Sequence, residues 1–313
     1  MKRKLFTAAG VVFALGSSAA SANLLSYFET QYNTDWTVAG VGGLRGTGAS
    51  SINLSGITGT VNQAYLYWHG PTNSTNPSFN ANINFAGTAI SGSNIGFSDD
   101  NFWSQSNSQA YRADVTSLIA GDGIYAISGL FPNNSNGASL MVFFDDGDST
   151  NNRDIITFDG NDANFSNIYD PLGWDISLNG INYTSGVASV LFGVSDGQSF
   201  SDAALIANGS ILAAAGSVFQ GTSVPTTPGT TVTNGALWDL LSFNITSLLS
   251  PGLNNLNFTH GTISDALSAI HVSIDLPAGS APDQPDSPNS VPVPGTLALL
   301  GLGLVGLFRL RAS

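Results

Sequence analysis

At 313 residues the chain is long enough for one large domain or two ordinary ones, and a hydrophobic content of 42% excludes a disordered polymer. Only 9% of residues are charged, against roughly 25% in an average soluble protein, so the polar surface must be built from Asn, Ser, Thr and Gly. A net charge of −13 repels phosphate backbones and excludes a nucleic-acid partner, while the absence of cysteine excludes disulfides, thiolate metal sites and cysteine nucleophiles.

The chain opens with Met1-Lys2-Arg3-Lys4, an apolar stretch over 5–16, and small residues ending at Ala20-Ser21-Ala22. A basic head, an apolar run too short to span a bilayer comfortably and an A-x-A site are the layout of a secretory signal peptide, with cleavage predicted after Ala22. Lys2 and Lys4 are the only lysines, so nothing beyond residue 22 supports lysine-dependent chemistry or Lys–Asn isopeptide staples.

From residue 23 onward, short apolar runs bounded by Gly, Asn, Asp and Pro recur. Strands are predicted over 64–68, 81–85, 124–130, 139–144, 154–159, 176–183, 188–194, 241–245, 256–260 and 269–276. A helix is expected over 202–216 and a helical turn over 115–119. The fold class is therefore all-β. The aromatics Tyr65, Tyr67, Trp68, Trp103, Tyr111 and Trp174 are read as core, with a sugar-stacking platform as the alternative. In strand 64–68, Tyr65 and Tyr67 share one face and Leu66 and Trp68 the other.

The chain also resembles itself. Asp114-Val115-Thr116-Ser117-Leu118-Ile119 aligns with Asn244-Ile245-Thr246-Ser247-Leu248-Leu249, and without a gap 140–145 falls on 270–275. Residues 64–68 correspond likewise to 188–192. Two related β-sandwich or jelly-roll units are expected, over 23–160 and 161–276. The segments 111–116 and 138–142 resemble β modules of bacterial surface and adhesin-like proteins. With catalytic signatures weak beside the signals at the two ends, an adhesive or structural, non-enzymatic role is expected.

Candidate chemistry is sparse. Asp145, Asp146, Asp148, Asn151 and Asp154 cluster around Gly147, and Asp159, Asn161 and Asp162 form a second expected loop. Hard oxygen donors of this kind suit calcium, although the spacing is not that of an EF-hand, and a solvated hairpin turn explains the same residues. His69, His260 and His271 stand in separate strands without metal spacing. Gly193-Val194-Ser195-Asp196-Gly197 fits the nucleophile elbow G-x-S-x-G, with Asp239, Asp265 and His271 downstream. The elbow needs a helix starting at the serine, and a β turn is expected there. The run Gly40-Val41-Gly42-Gly43 breaks the dinucleotide pattern at Arg45.

A Pro-, Ser- and Asp-rich linker over 277–290 leads to Val291-Pro292-Val293-Pro294-Gly295-Thr296, an apolar, glycine-laced run over 297–308, and Arg309-Leu310-Arg311. This tail, 291–313, resembles the PEP-CTERM sorting signal of Gram-negative bacteria. Val293 stands where that family usually has glutamate. The resemblance implies a membrane-bound exosortase as partner, insertion in the inner membrane through the C-terminal hydrophobic helix, and an envelope or extracellular destination. Such tails accompany exopolysaccharide production, so the alternative function is an exopolysaccharide-binding module, with a secreted hydrolase behind it.

Overall fold

Alternating apolar and polar residues, interrupted by glycine and asparagine turns, fold the chain into strands. The computed structural model describes residues 25–99, 104–230 and 233–283. In chain order its strands are β1 (Ser26–Val41), β2 (Ser50–Leu54), β3 (Thr60–Thr72), β4 (Asn82–Phe85), β5 (Thr88–Ser91), β6 (Ser93–Ser98), β7 (Asn107–Asp114), β8 (Gly123–Ser128) and β9 (Gly137–Asp145). They continue with β10 (Arg153–Ala163), β11 (Trp174–Tyr183), β12 (Ser189–Ser195), β13 (Leu205–Ala207), β14 (Ser210–Ala213), β15 (Trp238–Asn244), β16 (Gly252–His260) and β17 (Ser268–Pro277). The fold is all-β, and each stretch predicted as a strand falls on one.

Three antiparallel sheets result. A nine-stranded sheet runs β15-β12-β17-β10-β1-β9-β3-β7-β6, and two four-stranded sheets run β11-β16-β13-β14 and β2-β8-β4-β5. The long strand β1 joins the halves: residues 26–34 pair with β10 and residues 35–41 with β9. Just before the change of partner at 34–35, β1 is irregular between Gln31 and Thr34, where Asn33 takes a left-handed φ of 53°.

The large sheet is folded back on itself. Between β3 and β17 lie four ladder steps, about 19 Å in a flat sheet at the usual strand spacing. Yet the rings of Tyr67 in β3 and His271 in β17 have centroids 4.7 Å apart. Two outer cores and an inner seam follow. Leu66, Trp68, Ile52 and Phe85 fill one outer core, and Phe192, Trp174, Phe258 and Val272 fill the other. The seam between the two halves of the large sheet holds Tyr67, Met141, Phe143, Ile155 and Trp238. There Gly137 is needed, because a Cβ on it would lie 2.5 Å from the Trp238 Cβ.

The internal resemblance has a physical counterpart. Tyr65 faces Asp114 in β3·β7, and Ser189 faces Asn244 in β12·β15. The Thr116 hydroxyl accepts a hydrogen bond from Ala64 N at 2.9 Å, and the Thr246 hydroxyl accepts one from Ala188 N at 2.9 Å. Both threonines open a one-turn 3-10 helix, Thr116–Leu118 and Thr246–Leu248, which the sequence marked as a turn in the first half. The equivalence breaks at Ile270: a bulge in β17 turns it into the seam, whereas Leu140 packs in an outer core.

Other readings are corrected. Residues 202–216 form the β13–β14 hairpin rather than a helix, because Asn208 (φ 49°) and Gly209 (φ 76°) supply a tight turn. Position 160, the expected edge of the first unit, lies within β10. The signal peptide, Trp103, the linker from residue 284 and the sorting tail lie outside the described residues. Among those described, no helix is long and apolar enough to cross a membrane.

Candidate functional site

The seam gathers polar side chains that the sequence scatters widely. Alternation along β3 sends Tyr65, Tyr67 and His69 to the seam face, while Ala64, Leu66 and Trp68 go to the outer core. His69 Nδ1 lies 2.6 Å from Ser195 Oγ, at the end of β12. Asn136 Nδ2 donates to Ser195 Oγ at 3.0 Å and to Asp196 Oδ1 at 3.2 Å. The Arg45 guanidinium binds Asn136 Oδ1 at 2.6 Å and Asp196 Oδ1 at 3.2 Å. A second pair, Ser139 Oγ and His271 Nε2, is 2.8 Å apart. Gly193 makes room for it, since any Cβ there would sit inside the His271 ring.

Charge enters the seam as well. Arg112 forms a salt bridge with Asp159, which also accepts a bond from the Tyr67 hydroxyl at 3.2 Å, and the guanidinium stacks 3.4 Å over the Phe28 ring. Burial pushes the Asp159 carboxyl up to about 6 despite the pull of Arg112. Burial alone takes the His271 imidazole down to about 3, so it is neutral.

A serine oxygen 2.6 Å from an imidazole has the spacing of an activated nucleophile. Its setting is different. Ser195, His69, Ser139 and His271 are all 0% exposed, and no helix begins at Ser195. Asp196 follows in a left-handed conformation, φ 67°. The partners expected downstream are elsewhere: Asp239 accepts the main-chain N–H groups of Gly221, Thr222 and Ser223, and Asp265 accepts that of Gln198. The histidine that meets Ser195 lies upstream, on a strand whose local sequence carries no hint of the pairing.

The expected calcium residues are dispersed. Asp145, Asp146, Asp148 and Asn151 occupy the β9–β10 hairpin, where Asp146 Oδ1 and Asp148 Oδ1 accept main-chain N–H groups two residues on. There the Asp35 carboxylate, which the sequence reading missed, converges with Asp145 and Asp146, one oxygen from each lying within 4.8 Å of the others. Asp154 instead accepts the N–H groups of Asn33, Gly279 and Ala281, clasping β1 to the end of the chain described. The second expected loop is corrected outright: β10 continues to Ala163, so Asp159, Asn161 and Asp162 are buried strand residues around a bulge. Asp159 pairs with Arg112, and Asn161 Nδ2 donates to Ser108 O at 3.1 Å.

The aromatics are core. Tyr65, Tyr67, Trp68, Tyr111 and Trp174 are each at most 8% exposed, with Trp68 stacked on Tyr111 and Trp174 on Phe192. A shallow pocket of about 330 Å³ does open on the second sandwich, between Leu172, Asp175, Ile206 and His260. His260 is buried on its floor against Trp174, and burial lowers its imidazole to about 4 against a weaker opposing contact with the main chain of Ala203.

Fold and seam together define an all-β protein of two sandwiches sharing one folded sheet. Residues 290–312 match the PEP-CTERM protein-sorting motif, so the chain is an exported, envelope-sorted protein carrying that signal. The match is made with valine at position 293. Two solved structures share weak likeness. One is a peptide-N(4)-(N-acetyl-β-D-glucosaminyl) asparagine amidase, at 12% identity over 82% of this chain and 97% of that one, TM-score 0.30. The other is PNGase F, a glycosylasparaginase from Flavobacterium meningosepticum, at 13% identity over 85% and 98%, TM-score 0.31. At that similarity neither bears on activity. No curated protein matches the sequence.

Proposed function

We propose that the protein is a non-enzymatic structural or adhesive component of a Gram-negative cell surface. An exosortase-type enzyme handles its tail, and the C-terminal hydrophobic segment holds it at the inner membrane at least transiently. The observation that carries this reading is the sealing of both serine–histidine pairs inside the seam, where they hold the halves of one sheet together instead of facing a substrate. A buried, hydrogen-bonded polar network specifies one packing of two sheets. Calcium at the hairpin trio Asp35, Asp145 and Asp146 belongs to the same proposal, supported by their convergence.

The test is genetic and chemical together. Deleting the chain should reduce surface attachment or matrix cohesion, and a folded Ser195→Ala variant should restore it fully. Hydrolysis of ester, amide or glycoside substrates by the purified chain, lost in Ser195→Ala, would overturn the reading. A second reading, binding of the cell's own exopolysaccharide, is favoured by the pocket over His260, whose aliphatic walls and imidazole suit the apolar face and hydroxyls of a sugar. Retention on the isolated polysaccharide, weakened by Leu172→Ala or Ile206→Ala, would support it.

A further inference from the structure

Beside that pocket, two carboxylates face each other in the interior. Asp162 is 0% exposed and Asp170 1%, and the Asp170 carboxylate is near enough to act directly on that of Asp162. Both Asp162 oxygens and Asp170 Oδ2 are buried without a hydrogen-bond donor. The Leu25 amide is near Asp162 but outside hydrogen-bond geometry, and Asp175 adds further negative charge.

Nothing about this arrangement is loose. The β10 bulge between Asp159 and Asp162 sets the direction of the Asp162 side chain, and Trp174 Nε1 fixes its carbonyl at 2.6 Å. Asn167 folds the following loop back, its side-chain oxygen taking the N–H groups of Tyr169 and Asp170 and its own N–H bonding Asp170 O at 2.7 Å. Leu172 N then donates to Asp170 Oδ1 at 3.0 Å, leaving Oδ2 buried without a donor.

Two buried carboxylates close together are strongly disfavoured unless neutralised. Among the described residues the basic side chains are committed elsewhere, Arg45 to Asp196, Arg112 to Asp159 and Arg153 to Asp275. We propose that Asp162 and Asp170 form a calcium site, distinct from the hairpin, that ties the loop over 164–173 to β10 beside the pocket. Carboxylate oxygens with no nitrogen or sulfur donor select a hard cation, and main-chain carbonyls and water complete its six to eight ligands. The site does not depend on the adhesive reading, on the hairpin trio or on what the pocket binds.

The test uses the full chain in detergent, stripped with chelator, melted with and without calcium and titrated calorimetrically. Calcium at a hundredfold excess over Kd should raise Tm by about 5–10 °C. Asp146→Ala should remove only the hairpin's share of the rise. In that background Asp170→Asn should abolish the remaining rise while melting, without calcium, at or above its chelated parent, because its amide donates to Asp162. A structural role alone would instead make Asp170→Asn less stable in either condition. The proposal fails if calcium leaves the Tm of Asp146→Ala unchanged, in which case the pair shares a proton, or if the rise seen in Asp146→Ala persists after Asp170→Asn is added.

Discussion

Replacing Arg112 with methionine tests the electrostatics of the seam. Asp159 is 5% exposed and titrates at about 6, so burial already outweighs the attraction of Arg112. Removing the guanidinium raises that value further, until Asp159 escapes the penalty by taking up a proton. At pH 7.5 the escape costs about 1.4 kcal/mol for each unit between 7.5 and 6, so the variant should lose about 2 kcal/mol. At pH 5 wild-type Asp159 is itself mostly protonated, and the loss should shrink below about 0.5 kcal/mol. The direction follows from proton counts: between the unfolded value of 3.8 and about 6 the native state binds the extra proton, so this group's contribution rises as pH falls. Methionine keeps much of the contact over Phe28, which limits any loss independent of pH. Arg112→Met with Asp159→Leu removes both desolvation penalties but strands the buried Tyr67 hydroxyl, so at pH 7.5 the double variant should lose less than the sum of the two single variants. The assay is chemical denaturation of the four members of the cycle at pH 5 and 7.5. A cost that stays constant or grows toward pH 5 would refute the reasoning, since it would mean that the bridge holds Asp159 below its ordinary value.

Three further outcomes are expected. His271 titrates at about 3 in the fold against 6.5 outside it, so the unfolded chain takes the proton first and wild type loses about 2 kcal/mol between pH 8 and 5 from this group; a folded His271→Gln variant should lack that part of the slope in pH-dependent melting. Gly193→Ala should destabilise by about 1–3 kcal/mol in denaturant titrations, because its methyl group overlaps the His271 ring, and a neutral result would mean the seam is looser than described. Thr116→Val and Thr246→Val should each cost about 1 kcal/mol, to within a few tenths of one another, since each removes the acceptor for one buried main-chain N–H at the same distance; markedly unequal losses would deny the two turns equivalent roles.

The sequence by itself determined what depends on near neighbours. A basic head before an apolar run, and an apolar run before arginines, announce export and sorting without any folding. Alternation of Val, Ile, Phe and Tyr located strands such as β3, β9 and β12, and the Thr116 and Thr246 turns exposed the duplication because each makes the same local hydrogen bonds. Tertiary structure alone decided the seam. No strand is predicted at β1 or over the start of β7, Asn-Ser-Gln-Ala-Tyr-Arg, where polar side chains such as Asn107, Ser108 and Gln109 are buried, Ser108 against Asn161 of β10. Ser195 meets His69 across 126 positions, and Asp159 meets Arg112 across 47. Asp162 turns from an apparent loop ligand into a buried strand residue facing Asp170. Polar residues in a sequence look solvated by default, and only a sheet folded back upon itself supplies the hydrogen bonds and counter-charges that let them lie inside.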